Sequence, residues 1–379
     1  MGKSNHIKTI LISQLALPYP ITGSWTNMYN TLLKSKNHHF DYIICPEPNV
    51  RAEGVVYSFV KTTENKDKLV SRLINKNTKH QPYINALKEI IEPDCKYVIQ
   101  VIDNNGLVCA IAEHLEKHFN RNDFYIQYCY HGFLPIENTL KAKRLFKVVD
   151  EIVFITAESY KAFLSAYDEI TFKARVIHNG IDLKKFKTIS DSEKQKLRSS
   201  HNILQESFVF IWCSHDRPKK GLHIIIDAFK ELQKQSAIKI ELLVIGIKRE
   251  IDHPGITSIG HIPNDDIVKY YQMADVFLFP SLWQEGFGIV LAEALHCGCY
   301  TIASNRGGIK EVLEDGKYGV LIDKPNMVTE WVDAMQEAIR DCTENGNSFK
   351  GKLPKDLYSL KNWSEQLNTA ILDAKEKLT

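Results

Sequence analysis

Residues 277–313 of this 379-residue chain read FLFPSLWQEGFGIVLAEALHCGCYTIASNRGGIKEVL. A short apolar run leads into a loop that contains Glu285, Gly286 and Gly288. An apolar helical segment carrying Glu293 follows, and then a second apolar run and a second glycine pair. Continuous apolarity is typical of strands buried on both faces of a parallel sheet. The stretch therefore predicts strand, loop, helix, strand and loop, which is the repeating unit of an α/β fold.

The same alternation runs through the rest of the chain and predicts two doubly wound, Rossmann-like sheets. Strands are expected at residues 9–13, 42–45, 97–102, 124–130, 152–156, 175–177, 208–213, 240–245, 276–279 and 301–303. Helices are expected at residues 27–36, 83–91, 107–119, 159–166, 223–233, 266–273, 289–295 and 328–339. The polar, turn-forming segment 178–200 suits an interdomain connection. The predicted domains are 1–180, 181–355 and a C-terminal segment 356–379.

The overall composition narrows the classes of function. Lys and Arg total 48 and Asp and Glu total 46, so the net charge is +2, too balanced for general nucleic-acid binding. The eight cysteines include no C-x-x-C pair, which indicates buried thiols in a reducing compartment. The first apolar run is too short for a signal peptide, and no run approaches the length of a membrane span. We expect a cytoplasmic protein.

Charged residues cluster in the predicted strand-to-helix loops of the second half. Glycines before a helix let an anion reach free backbone N–H groups and the positive end of the helix dipole. Glu285 and Glu293, eight residues apart, could accept hydrogen bonds from two sets of hydroxyls, such as two sugar rings joined through phosphates. Arg217, Lys219 and Lys220 could neutralise a leaving diphosphate. Each group alone also fits a helix cap or a solvated surface.

Taken in order, these motifs resemble the retaining glycosyltransferase family four. PSLWQEGFGIVLAEALHCG is similar to its E-x7-E signature, and VIHNGIDLKKF, KKGLHIIIDAF, SNRGGIKEVLEDGKYGVLI and NWSEQLNTAIL are similar to four further segments. The resemblance is strong from about residue 175 to the end and weak before it. It implies the GT-B fold, in which two Rossmann-like domains face each other across a cleft. It further implies that a C-terminal helix crosses back to the first domain.

The resemblance also implies roles for the second-domain residues, which would bind a nucleotide-sugar donor. Glu285 would bind hydroxyls of the donor sugar and Glu293 the ribose of the nucleotide. Lys220 would bind the diphosphate, with backbone groups supplied by Gly286, Phe287 and Gly288. The sequence departs from the family where an arginine usually precedes the lysine by five or six residues, since those positions are Ser214 and His215. Arg217 could supply that charge from within the loop.

In the first domain, which would bind the acceptor, the resemblance implies three further donor contacts. Gly23 and Ser24 follow the first predicted strand, where the family has a glycine loop facing the donor phosphates. His131 stands at a strand end, like the family's histidine beside the donor sugar.

His114 and His118 lie four apart on a predicted helix, but HLEKH is not H-E-x-x-H and no third ligand is evident. No metal site is predicted.

The expected function is metal-independent, retaining transfer of a sugar from a UDP- or GDP-sugar to a hydroxyl of a glycan or lipid-linked acceptor. The D-x-D motif, G-x-x-x-x-G-K-[ST] and G-x-G-x-x-G are absent from the sequence. Neither a metal ion nor another cofactor is expected. By analogy with the family, the product would be a bacterial surface polysaccharide such as lipopolysaccharide.

Two alternatives and one question of location stay open at this point. The chain could be a nucleotide-sugar epimerase or hydrolase of the same fold, or a non-catalytic partner that binds sugar nucleotides. KAKRLFK at residues 141–147 alternates basic and apolar residues. It fits either contact with an anionic membrane or an amphipathic helix packed on its own domain.

Overall fold

The computed structural model describes residues 6–19, 24–35, 37–61, 78–137 and 139–379. The chain divides into two compact units. The first unit is Met1–His178 together with Lys361–Thr379, and the second unit is Asn179–Leu360. Each unit is built around one parallel sheet flanked by helices. The predicted α/β class with two Rossmann-like sheets is confirmed.

The described part of the first unit forms a seven-stranded sheet in which every neighbouring pair is parallel. Its strands are β1 (Ile7–Ile12), β2 (Tyr42–Cys45), β3 (Val56–Phe59), β4 (Lys96–Ile102), β5 (Phe124–Tyr130), β6 (Glu151–Phe154) and β7 (Lys173–Val176). Their order is β3-β2-β1-β4-β5-β6-β7. The helices between them are α1 (Ser24–Lys34), α2 (Gln81–Lys88), α3 (Asn105–His118), α4 (Thr139–Val148) and α5 (Ala157–Ala166).

The second unit forms a six-stranded parallel sheet. Its strands are β8 (Phe208–Cys213), β9 (Ile240–Ile245), β10 (Ile256–Gly260), β11 (Val276–Phe279), β12 (Tyr300–Ser304) and β13 (Val320–Ile322). Their order is β10-β9-β8-β11-β12-β13. The helices are α6 (Asp191–Ser200), α7 (Leu222–Gln235), α8 (Asn264–Met273), α9 (Ile289–His296), α10 (Ile309–Val312) and α11 (Val328–Glu344).

The last helix, α12 (Leu360–Glu376), packs on the sheet of the first unit, as predicted. Gln127 on β5 donates from Nε2 to the carbonyl oxygen of Ala370 at 2.9 Å. Arg175 on β7 pairs with Asp373 at 2.7 Å and with the fully buried Glu151 at 2.6 Å. Because the buried carboxylate has these partners, its charge is compensated inside the sheet.

The polar segment 178–200 differs from the predicted connection. The second unit begins at Asn179, and the backbone N–H of Ile181 donates to the carbonyl oxygen of Tyr358 at 2.6 Å. Residues 191–200 form α6, which starts with a capping box between Ser190 and Glu193. The helix is held by Lys194 and Arg198, which pair with Asp275 at 2.6 and 2.7 Å, and not by an apolar stripe. Hydrophobic periodicity therefore did not predict α6, because the helix has no apolar face.

The strand order reverses between β8 and β11 in the second sheet and between β1 and β4 in the first. In open parallel sheets, ligands bind beyond the carboxyl ends of the strands at such a reversal. The loop that follows β11 contains Glu285, and the loop that follows β8 contains Lys220. The fold thus brings the two predicted site loops of the second unit to one edge of its sheet.

Candidate functional site

Two loops meet at the β8–β11 reversal, residues 214–221 after β8 and residues 280–288 after β11. The strands pair in register at Val276 and Phe210. Beyond them, the backbone N–H of Leu282 donates to the carbonyl oxygen of Lys219 at 2.8 Å. A hydrogen bond between residues 63 positions apart in sequence therefore joins the two loops at the carboxyl ends of β8 and β11.

An ion pair joins the two most important predicted side chains of these loops. Lys220 Nζ lies 2.6 Å from Glu285 Oε1, with the two side chains 20% and 13% exposed. Ser281, which is buried, donates from Oγ to the same carboxylate oxygen. The carboxylate is thus fixed in one orientation by a cation and a hydroxyl, while part of both charged groups stays accessible to a ligand.

The second glycine loop fixes the backbone of Glu285. Gly308 donates its N–H to the carbonyl oxygen of Glu285 at 2.8 Å, and Gly307 forms a β-bridge with Glu285. Gly307 has φ +66°, and a Cβ there would lie 2.3 Å from that carbonyl oxygen. A larger residue would displace the loop, because contacts below 3 Å do not occur between such atoms.

Helix α9 begins immediately after the glycines of the first loop. Gly288 has φ +80° and occupies the N-cap position without a side-chain cap. The Phe287 side chain is buried, with its ring centroid 5.1 Å from that of Tyr358. The buried Phe287 side chain is therefore not accessible to a ligand. The start of an α-helix provides N–H groups and a partial positive charge for an anion.

Glu293 lies on the second turn of α9 and is only 7% exposed. Burial raises its pKa to about 8, and the positive charge of Lys185 partly offsets that rise. Among the described residues, no side chain donates a hydrogen bond to this carboxyl. The carboxyl oxygens are not among the fully buried, unpartnered side-chain atoms of the described residues, so hydroxyl groups of a ligand could reach them and donate hydrogen bonds.

The remaining cations of the β8 loop are more exposed. Arg217 is exposed, and its carbonyl oxygen accepts from the backbone N–H of Lys220 at 2.8 Å. Partial burial and the charges of Arg217, His261 and Lys220 lower the pKa of His215. His215 is thus favoured in its neutral form, so the cations of this loop are Arg217, Lys219 and Lys220.

In the first unit, His131 follows β5 and is partly buried. Its ring centroid lies 5.6 Å from that of Trp25, and its backbone N–H donates to Asp103 Oδ1 at 3.3 Å. Burial lowers the pKa of His131 to about 4, so the imidazole is neutral at pH 7. Asp103 has φ +46°, a conformation that non-glycine residues adopt rarely and often at functional sites.

Some first-unit predictions receive little or no structural description. Gly23 lies outside the described residues, and Ser24 is the first residue of α1, with its side chain not described. His114 and His118 have ring centroids 4.5 Å apart on α3. In the described ranges, no three His, Cys, Asp or Glu side chains are grouped so that they could hold a metal ion.

Sequence reasoning missed the residues that position the predicted ones. Ser281 and Trp283 lie inside the quoted stretch but carry no motif of their own. Asp103 directly follows β4, and the rule that ligands gather at strand ends could have found it. Trp25 lies in the first turn of α1, which begins at Ser24, whereas the sequence predicts a helix only from residue 27. Its contact with His131 depends on how α1 packs, which sequence spacing does not specify.

Comparison with known proteins links the second unit to one family. Residues 193–352 match the family model "Glycosyl transferases group 1", and this segment contains Lys220, Glu285 and Glu293. The chain is 28% identical over 176 residues to D-inositol 3-phosphate glycosyltransferase of Paenarthrobacter aurescens, covering 43% of this chain and 42% of that protein. It is 26% identical over 239 residues to lipopolysaccharide 1,2-N-acetylglucosaminetransferase of Salmonella typhimurium, covering 57% and 61%. The aligned parts thus span about half the length of these relatives.

A solved structure matches nearly the whole chain. Anabaena HepE in complex with UDP and glucose has a TM-score of 0.72 and 17% sequence identity, over 97% of this chain and 100% of that chain. At this identity the likeness concerns the fold, and it confirms the predicted GT-B class. None of the helices in the described ranges has both the length and the apolarity to span a membrane.

Proposed function

We propose that this chain is a retaining, metal-independent glycosyltransferase that moves a sugar from a nucleotide diphosphate sugar to a hydroxyl of a glycan or glycolipid. The observation that carries the proposal is the Lys220–Glu285 ion pair at the β8–β11 reversal. It is accompanied by the buried Glu293 on the helix that starts at the same loop. The matched glycosyl transferase segment, residues 193–352, contains all three residues.

The donor would bind along the β11 loop and α9. Lys220 and Arg217 would face the diphosphate, together with the backbone N–H groups of residues 286–288 at the helix start. Glu293 would accept hydrogen bonds from the ribose hydroxyls, which are the donors that its buried carboxyl lacks in the free protein. Glu285 would exchange its contact with Lys220 for hydroxyls of the donor sugar.

Transfer would proceed on one face of the donor sugar. The bond between the anomeric carbon and the diphosphate oxygen breaks, and the acceptor oxygen bonds to that carbon from the same side. The acceptor proton passes to the departing phosphate oxygen, so that no separate base is needed. Lys220 and the start of α9 stabilise the charge that develops on the diphosphate, which is the role a metal ion has in other transferases.

The first unit would contribute His131, which the family resemblance assigns to the donor sugar. It would also contribute Gly23 and Ser24, which the resemblance assigns to the donor phosphates. The imidazole of His131 is neutral, as its pKa of about 4 requires. A neutral imidazole has one N–H donor and one acceptor nitrogen, which suits sugar hydroxyls. Replacing His131 with Ala should therefore lower transfer without abolishing nucleotide binding.

The nucleotide would be UDP or GDP and the product a bacterial surface polysaccharide made in the cytoplasm. HepE was solved with UDP and glucose, which supports a uridine nucleotide. The Salmonella relative is named for lipopolysaccharide, which supports a surface glycan as acceptor. A panel of donors identifies the base and the sugar, and analysis of the glycosylated product identifies the linkage.

We further propose that α4 contacts an anionic membrane that carries the acceptor. The helix buries Ala142, Leu145 and Phe146 in its own unit and exposes Lys143, Lys147 and, at 80%, Leu140. The two sequence interpretations are therefore compatible, since one face packs and the other offers cations and an apolar side chain to lipid. Sedimentation with vesicles containing anionic lipid should fall when Lys143 and Lys147 are both changed to Gln. Unchanged sedimentation would discard membrane contact.

The function is tested by incubating the purified chain with UDP- and GDP-sugars and a panel of glycoside acceptors. We expect nucleotide release together with a glycosylated product, and losses of at least a hundredfold in Glu285→Ala and Lys220→Ala. Glu231→Ala and Lys234→Ala remove an exposed pair of the same unit and serve as matched controls. Nucleotide release without an acceptor-dependent product would favour a hydrolase, and donor binding without turnover a non-catalytic partner.

A further inference from the structure

Trp283 is an exposed aromatic side chain in the loop that carries Glu285. It is 48% exposed, whereas Trp212, Trp331 and Trp363 are buried. Exposing a large indole gives up the free energy of burying its apolar surface. An accessible indole beside the loop proposed to bind the donor is a candidate contact surface, because Trp combines a large apolar face with a polar N–H group.

The ring is held in place although it is exposed. Lys219 Nζ lies over it, 4.5 Å from the ring centroid. The backbone N–H of Trp283 donates to Ser281 Oγ at 3.4 Å. The backbone N–H of Leu282 donates to the carbonyl oxygen of Lys219 at 2.8 Å. The cation contacts one face of the indole, while about half of the side chain remains accessible. A rigid aromatic face loses little conformational freedom when a ligand binds it.

The position of the ring along the loop separates it from the diphosphate region. Residues 286–288 lead from Glu285 into α9, whereas Trp283 precedes Glu285 by two residues, on the side of β11. Lys220 and Lys219 are neighbours, so the cation that pairs with Glu285 and the cation over Trp283 come from the same turn. The loop thus presents a charged centre flanked by an aromatic surface.

We infer that Trp283 is the stacking surface for the acceptor, a glycoside whose terminal pyranose places its C–H face on the indole. The π face of an indole is negative and the C–H bonds of a sugar ring are weakly positive, so the two attract. This inference rests on the proposed transferase activity and adds the residue that selects the acceptor.

The test compares Trp283→Ala, Trp283→Phe and, as a matched control, Leu204→Ala, which truncates an exposed apolar residue of the same unit. The donor is whichever UDP- or GDP-sugar the unmodified protein turns over, and the acceptors are p-nitrophenyl glycosides of glucose, galactose and N-acetylglucosamine. We expect Trp283→Ala to raise the acceptor KM at least tenfold and Trp283→Phe about threefold. The KM for the donor in acceptor-independent hydrolysis should change less than twofold, and Leu204→Ala should match the unmodified protein.

An unchanged acceptor KM in Trp283→Ala would overturn the inference, and so would a raised donor KM in hydrolysis, since the ring would then bind the donor. If the unmodified protein turns over no donor, the proposed function fails separately. In that case the same glycosides are titrated while tryptophan fluorescence is followed. Quenching that Trp283→Phe abolishes would support the stacking surface, and quenching that survives in Trp283→Phe, or none in the unmodified protein, would overturn it.

Discussion

At the scale of single residues, the Lys220–Glu285 ion pair has both a structural and a proposed catalytic role, and the two can be separated. Changing either residue alone leaves a partly buried charge without its partner. Changing both removes the charges together. A cycle of Lys220→Met, Glu285→Gln and the double variant therefore distinguishes loss of the pair from loss of the site.

We predict that each single variant lowers kcat/KM at least a hundredfold and lowers the free energy of unfolding by about 1–3 kcal/mol. The double variant should regain part of the stability and none of the activity. Urea denaturation and initial rates of nucleotide release measure the two effects. Activity that returned in the double variant would show that the pair serves only to hold the loops.

The buried Glu293 makes stability depend on pH. Its pKa is about 8 in the folded chain, above its ordinary value of 4.5. Between these values the folded protein keeps a proton that the unfolded chain has lost, so stability falls as pH rises through this range. The slope for one proton is about 1.4 kcal/mol per pH unit.

Glu293→Gln should remove this dependence. We predict that the difference in unfolding free energy between variant and unmodified protein grows steadily in favour of the variant from pH 5 to pH 8. Taking a difference cancels groups of opposite sign, such as His131, whose pKa of about 4 makes stability rise with pH up to its ordinary value. Parallel stability curves for the two proteins would show that Glu293 is ionised at neutral pH.

At the scale of elements, Arg175 and the Gln127–Ala370 hydrogen bond are two of the polar contacts that attach α12 to the first sheet. Arg175 bridges Glu151 and Asp373, and Glu151 is fully buried. We predict that Arg175→Met costs about 3 kcal/mol of stability, because it leaves a buried carboxylate with only weaker partners. Asp373→Asn, which alters the more exposed end of the bridge, should cost less than about 1 kcal/mol. Equal losses in thermal or urea unfolding would refute this division.

The elements that the sequence predicts best are those whose side chains pack mainly in the hydrophobic core. The strands Phe208–Cys213, Ile240–Ile245 and Val276–Phe279 were predicted with their observed bounds, since the first and third are continuous apolar runs and the second is interrupted only by Glu241. The edge strands β3 and β10 were missed because solvent reaches one side and admits polar residues. Strand β13 was also missed, because it is only three residues long. Helix α6 was missed because charges hold it in place of an apolar face.

In the candidate site, too, the sequence predicts some features and not others. Lys220 and Glu285 could be named from loop composition and the family resemblance, although they are 65 residues apart. Their contact, the hydroxyl of Ser281 and the cation over Trp283 follow from how two loops cross above the sheet. Sequence spacing does not determine such crossings. The roles of the site residues, Gly23 and Ser24 included, stay predictions.

At the scale of the whole molecule, sugar transfer as proposed needs no metal ion. The charge on the leaving diphosphate is assigned to Lys220, Arg217 and the start of α9. We predict that transfer measured after treatment with EDTA equals transfer in untreated protein within twofold. A loss of activity that Mg²⁺ or Mn²⁺ restores would place a metal ion in the mechanism.

The central claim is that a nucleoside diphosphate binds to the second unit at the β8–β11 reversal. Crystals of the full chain soaked with UDP and, separately, with GDP test it most directly. The account predicts that one of the two has its diphosphate within hydrogen-bond distance of Lys220 and the backbone N–H groups of residues 286–288, with its ribose hydroxyls on Glu293. A nucleotide bound elsewhere, or no bound nucleotide from either soak, would contradict it.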